Sequence, residues 1–420
     1  MARKPSTDIG SINLVWDRYA PSGRVIVILT AAAITAVGQM YSVLALLPQM
    51  ATSFGVDPAH VTATSTVFGI AYAVGFLIAG PLASRFGPHI VMSCGLCAGA
   101  VTTMLAALPS TLLQELIARA AQGCTAAAFA PAAFTYIAES IQPRHRLLAL
   151  SCLTSGFLGA AAGVPVVAQM IASAAGWRAV FVLGAAALAI AAVAVIAGVP
   201  RTPRMDRPHR ARPVGVLWAI LGRWRLIALF GAAATFLGSY VSVFTTISLV
   251  GPPSVAGNPD ALQVLRLTTV PALLVIPFLG RVLRRCRPGG RGAAALGVAA
   301  ISVSTGSVAS HYLVALSITV LALVAAISVA ASAIVESLLA QVSPEETGGA
   351  TALYGAFTFL GASAGPALAS VLSPWGFGIG MLAAAIWLAI GAGLIVASSA
   401  GTATRRQSRH RTAGAMSSQR

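Results

Sequence analysis

Residues 112–165 read LLQELIARAAQGCTAAAFAPAAFTYIAESIQPRHRLLALSCLTSGFLGAAAGVP, two apolar runs joined by a short basic link from Gln142 to Arg146. Each run is long enough to cross the roughly 30 Å hydrocarbon core of a bilayer as a helix. The first holds one cation, Arg119, and is predicted to stay helical to Tyr136. A guanidinium in hydrocarbon costs several kcal/mol unless it faces protein or water, so Arg119 is predicted to point into a bundle. The second run places Gly156, Gly159 and Gly163 three and four apart, ahead of Pro165. That spacing puts the glycines on one face, where another helix backbone can approach closely.

The rest of the chain has the same character. Of its 420 residues 57% are hydrophobic and 9% charged, with a mean hydropathy of +0.85, which lies outside the range of soluble domains. The net charge of +17 sits in links between apolar runs. Nucleic-acid binding would need a basic face on a folded soluble module, so no nucleic-acid partner is expected. Cys94, Cys97, Cys124, Cys152 and Cys286 form neither a disulfide nor a zinc pattern and read as small core residues. Lys4 is the sole lysine, so a standard phosphate-binding P-loop is excluded. Carboxylates and histidines are not clustered at catalytic spacing, so the chain is expected to be no enzyme, with no cofactor and no metal.

Twelve transmembrane helices are predicted, at roughly 25–49, 60–82, 89–108, 111–138, 147–172 and 176–199, then 225–250, 260–283, 292–310, 313–341, 347–372 and 377–399. Of the 27 basic side chains, all but Arg119, Arg178 and Arg266 fall on one side if the N-terminus is cytoplasmic. By the positive-inside rule both termini are therefore expected in the cytoplasm. The expected divisions are a tail (1–24), a six-helix bundle (25–199), a basic proline-broken linker (200–224), a second bundle (225–399) and a disordered basic tail (400–420). The linker reads either as a plain tether or as a contact for anionic lipid. A duplication supports the division: Pro143 and Pro165 recur as Pro344 and Pro366, and Gly159 and Gly163 nearly match Gly361 and Gly365.

These residues carry a family resemblance. Arg119, Gln122 and Gly123 resemble the Arg-x-x-Gln-Gly core of the fourth-helix motif of major facilitator superfamily transporters. The segment from Gly80 through Arg85 to Gly87 resembles that family's loop between helices 2 and 3, with Ser84 where an aspartate is expected and Pro88 and His89 in place of its trailing basic pair. Gly163 and Pro165 resemble the fifth-helix antiporter motif, with one residue inserted. The resemblance implies an all-α polytopic fold of two pseudo-symmetric six-helix bundles, rocking around a site near the bilayer midplane.

On the helices expected to line that site, the polar and aromatic candidates are Gln39, Tyr41, Arg119, Gln122, Tyr240 and Phe244, with Phe134, Tyr354 and Phe357 as further aromatic surface. Such a cavity suits a lipophilic, weakly polar or anionic small molecule; each aromatic also reads as simple helix packing. Arg119 reads either as a charge that sets substrate preference and tunes a nearby proton-exchanging carboxylate, or as a clamp on backbone carbonyls. Glu336, about five residues or roughly 7 Å from the end of the tenth helix, reads as a proton carrier or as a partner of Arg284 or Arg285 in an inner gate. Glu139 is placed to meet Arg85, and Glu115 is expected to be hydrated. Gly156, Gly159, Gly163, Pro165, Gly361, Gly365 and Pro366 are read as packing positions. The expected function is proton-coupled efflux of small lipophilic drugs or metabolites by a monomer in the bacterial plasma membrane. The rivals are an importer or uniporter of a sugar, nucleoside or organic acid, and a membrane-embedded transferase.

Overall fold

In hydrocarbon every backbone N–H and C=O must be satisfied within its own segment or by protein, so uninterrupted apolar runs fold as helices. The computed structural model describes residues 22–201, 213–256, 258–269, 271–272, 287–308, 313–343 and 346–417, and every regular element among them is helical. In chain order these are α1 (Ser22–Ser42), a 3-10 turn (Val43–Ala45), α2 (Leu47–Phe54), α3 (Pro58–Val61), α4 (Ala63–Phe86), α5 (Pro88–Leu105), α6 (Leu112–Ala126), α7 (Phe129–Ser140), α8 (Pro143–Ala175) and α9 (Trp177–Gly198). There follow α10 (Pro213–Leu221), α11 (Trp224–Val250), α12 (Pro259–Leu267), α13 (Pro288–Val308), α14 (Leu313–Leu339), α15 (Thr347–Leu372) and α16 (Phe377–Ser417). Among the described residues eight helices are long and apolar enough to span a membrane, or nine if the bent pair Arg144–Ala161 and Gly163–Ala175 is one span. The other three expected spans are the broken, charge-bearing α6 and α7, the partly described segment from α12, and α13, which begins on a basic turn.

Helix pairing repeats. Helix α1 packs on α8 and α9 as α11 packs on α15 and α16, and α5 packs on α6 and α9 as α13 packs on α14 and α16. Between the two sets, α4 meets α15 and α8 meets α12. These two contacts exchange under the same pairing, so the architecture is two similarly built bundles joined face to face.

Prolines set the breaks. Pro131 offers no N–H to Ala127 and its ring crowds that carbonyl, so the helix expected to run to Tyr136 stops at Ala126 and restarts at Phe129. Pro48 likewise leaves Leu44 without its helical donor, and the first span ends early at Ser42 in a 3-10 turn. The Leu44 carbonyl instead accepts from Arg266 Nη2 of α12 at 3.1 Å. Pro165 leaves Ala161 unpaired in the same way, and Tyr240 of α11 donates its hydroxyl there at 3.0 Å. In both places a carbonyl freed by proline in the first bundle is satisfied by a side chain of the second. Arg266, one of the two arginines counted on the outer side of the membrane, is 3% exposed between the bundles.

Two other expectations are corrected. The linker is not helix-free: Pro213 starts α10, whose Leu217, Ile220 and Leu221 pack on the second bundle's core. Proline at a first helical position costs nothing, since that N–H has no helical partner. The tail after Ala400 continues α16 to Ser417, a stretch without proline.

Ahead of α15, Glu346 accepts from the Ser343 backbone N–H at 3.0 Å and pairs with Arg223 of the linker at 2.9 Å. The Ser343 N–H first and Arg223 second hold its carboxyl below the usual carboxylate range. A depressed folded value gives stability that is present above the unfolded value and lost as pH falls through the folded one. The thermal midpoints of wild type and Glu346→Gln should therefore differ at neutral pH and converge below about pH 4.

Candidate functional site

Gly123 brings α4 against α6, because an added Cβ would collide with the carbonyl oxygen of Phe68. That approach lays the Phe68 ring 4.3 Å from the Arg119 guanidinium, and Phe181 of α9 stands 5.9 Å away on the same group. Arg119 is 0% exposed. Its Nη1 donates to the Gln39 carbonyl at 3.1 Å and to Gln122 Oε1. Gln122 Nε2 donates to Thr103 of α5 at 2.8 Å and to Gln39 Oε1 at 3.3 Å. Arg119 Nε and Nη2 have no hydrogen-bond partner among the described residues. Four helices thus converge on a guanidinium that is half satisfied, at a position set by the cost of exposing it to lipid.

Glu115 lies one turn earlier on the same helix. It is 0% exposed, and neither carboxyl oxygen has a partner among the described residues. The expected hydration is thus corrected: the face of α6 that carries Glu115 is covered, with Ala118 one turn on against an apolar cluster that includes Met50, Val61, Trp177 and Phe181, while Leu113 and Gln114 on the other side stay exposed. A helix start usually marks an interface, which is why the sequence misled.

The other candidates separate into groups. Tyr41, Tyr240 and Phe244 are buried in the cluster shared by both bundles, with Tyr354 and Phe357 packed on its margin. The Tyr240 and Phe244 rings stand 5.0 Å apart, and Phe357 stacks on Phe230 at 5.5 Å. Phe134 packs on Phe157, away from Arg119. The sequence did not single out Phe68, Tyr72 or Thr103. Tyr72 meets Phe359 of α15 at 4.3 Å and, with Phe68, forms the aromatic wall between the charge and the second bundle.

Glu336 does not join Arg119. It pairs with Arg291 at the start of α13 at 2.8 Å, with its side chain 47% exposed; Arg284 and Arg285, its expected partners, lie outside the described residues. At the α4–α5 junction Gly87 takes φ +96°, which lets two helices meet without a linker. Gly80 lies beside Ala352 of α15, Arg85 stacks on Phe86, Glu139 stands at the end of α7, and the side chain of Ser84 lies outside the described set.

The glycine seam of α8 is narrower than expected. Gly156 abuts Thr30 of α1 at 3.2 Å, but Gly159 and Gly163 have nothing described within 4 Å. Of the three, only Gly156 meets α1 among the described residues. On α15, Gly361 and Gly365 do meet the backbone of α11, at Ala234 and Gly238, and Pro366 lies inside the same helix.

A bundle of apolar helices in two similarly packed sets, with a charge enclosed in one of them, defines a multi-pass membrane protein. The chain belongs to the Major Facilitator Superfamily, whose family model matches residues 28–338. It is similar to the inner membrane transport protein YnfM of Escherichia coli, 28% identical over 229 residues, covering 53% of this chain and 54% of that protein. It is also similar to the 4-hydroxybenzoate transporter PcaK of Acinetobacter baylyi, 30% identical over 140 residues, covering 33% of this chain and 30% of that protein. A third likeness is to the multidrug transporter mfsC of Aspergillus fumigatus, 29% identical over 145 residues, covering 34% and 28%. The matches thus span about half or less of these relatives' lengths.

Proposed function

We propose that the chain is a secondary transporter that exports a small, largely apolar molecule in exchange for protons by alternating access. In this reading the bundles 25–199 and 225–399 rock about a site between them, tethered by 200–224, as a monomer with both termini in the cytoplasm. The observation that carries it is Arg119: a fully enclosed guanidinium with two N–H-bearing nitrogens unpartnered among the described residues is poor packing and a good binding group. Membership of the family and the matched contacts α4–α15 and α8–α12 support the rocking motion.

A second reading is a carrier of organic anions. The same unpartnered nitrogens favour it, since a guanidinium fork fits a carboxylate in bidentate geometry, and so does the likeness to a 4-hydroxybenzoate transporter. Proteoliposomes with an imposed pH gradient separate the readings when loaded in turn with ethidium, glucose and benzoate. Gradient-driven movement of ethidium is the expected result. Movement of benzoate alone would favour the second reading, and flux indifferent to the gradient would overturn proton exchange.

A further inference from the structure

We propose that Glu115 is the carboxyl group that takes up and releases the transported proton, with Arg119 as its counter-ion in the unloaded state. The proposal rests on the proton-coupled reading above and identifies the group that reading left unassigned. Among the described residues Glu115 is the one buried acid. The others sit elsewhere: Asp57 caps α3, Asp260 is exposed in the first turn of α12, Glu139 ends α7, Glu336 is paired with Arg291 and Glu346 with Arg223.

The geometry suits a group that must hold and lose a proton. An ionised carboxylate enclosed without a hydrogen bond is costly, so the conformation seen, in which neither oxygen of Glu115 has a partner among the described residues, suits the neutral acid. Two placements offer the carboxylate a partner once it is charged: the N-terminal turn of α6 and Arg119 one turn away on the same helix. Arg178 of α9 is committed to Pro109 O at 2.8 Å and to the Trp177 ring at 4.2 Å. The titratable side chains of the helices packed on α6 are Arg24 and Tyr41 of α1, Tyr72 and Arg85 of α4, and His89, Cys94 and Cys97 of α5. None is a carboxylate, so among the described residues no second acid competes for the proton.

Proton loss would draw the unpartnered Nε and Nη2 of Arg119 towards the carboxylate and away from the Gln39 carbonyl. That exchange releases α6 from α1, which leads into the turn whose Leu44 carbonyl accepts from Arg266 of the second bundle. The balance is simple: one proton passes from solvent to a carboxylate oxygen and leaves to solvent on the other side, with only an O–H bond made and broken. Glu115 lies about 4.5 Å along the axis from the first residue of α6, a short path to solvent at the end where Arg178 is exposed.

The test needs no known substrate. Infrared spectra of the purified protein in lipid nanodiscs, recorded in deuterated buffer from acid to alkaline pH, should contain a protonated-carboxyl carbonyl band at neutral pH that disappears on alkalinisation. The band should be absent from Glu115→Gln and retained in Glu336→Gln. Its persistence in Glu115→Gln, or its absence from wild type, would overturn the proposal. In proteoliposomes Glu115→Gln should lose gradient-driven ethidium movement, while Asp260→Asn, on the exposed first turn of α12, keeps it. A Glu115 band with wild-type flux indifferent to the gradient would refute proton-coupled export and leave a titrating Glu115. Gradient-driven flux retained in Glu115→Gln would refute the carrier role and leave the export reading standing.

Discussion

Replacing Arg119 by methionine is expected to weaken apparent substrate affinity by about 10- to 100-fold, the loss of one charge-assisted hydrogen bond, while the thermal midpoint stays level or rises. The second half of that result separates a functional arginine from a structural one. A clamp on carbonyls would take stability down with activity. Here the losses on truncation are small: the Gln39 carbonyl keeps the Ser42 hydroxyl at 3.0 Å, and the Gln122 amide keeps Thr103. One acceptor, Gln122 Oε1, is left short, at about 1–3 kcal/mol. Against that, the variant removes a buried charge with two unpartnered nitrogens, whose burial costs several kcal/mol. Methionine also fills the slot between Phe68 and Phe181 with a favourable sulfur–ring contact. Arg119→Lys should fall between, since it keeps the charge but not the planar fork. Full transport in both variants, or a lowered midpoint in Arg119→Met, would remove Arg119 from the centre of the site.

Some of this was legible in the chain. The enclosure of Arg119 follows from the price of a cation in lipid, and the sharing of a face by Arg119 and Gln122 follows from their spacing. Gly123 was visible as part of a motif, though not that its missing side chain admits the Phe68 carbonyl. What spacing along one helix cannot supply is the identity of the helix alongside. Pro48 and Pro165 free carbonyls by their chemistry, but the first span was read straight through Pro48 and Pro165 was read as a packing position, and that Arg266 and Tyr240 would come from the other bundle to meet those carbonyls depended on tertiary approach. Tyr240 was read as a candidate for ligand contact, and its hydroxyl is instead committed to Ala161. Glu115 was misjudged because it stands near a helix start, where exposure is the ordinary outcome, and it is buried there instead.

Gly361→Ala should lower the thermal midpoint sharply or prevent a monodisperse preparation, whereas Gly159→Ala, at nearly the matching place in the other repeat, should not. At Gly361 the added carbon would run into the Ala234 carbonyl, with Ala234 Cα 2.6 Å away. The contact is backbone to backbone, so no rotamer change relieves it and α15 must lift from α11. The contact is also reciprocal, since a Cβ on Gly238 would meet the Gly361 carbonyl at 2.7 Å and one on Gly365 would meet the Ser242 nitrogen at 2.9 Å. Lifting the helix therefore breaks several close approaches together. Overpacking of this kind costs about 1–3 kcal/mol in ordinary cores, and more where backbone must move. The gain in helix propensity from glycine to alanine, about 1 kcal/mol, is too small to offset it. At Gly159 nothing described lies within 4 Å, so the propensity gain stands alone and the midpoint should hold or rise. In a bilayer, where lipid is as apolar as the core, such close approach is what holds helices together. Equal midpoints for Gly361→Ala and wild type would mean that α11 and α15 are not in backbone contact.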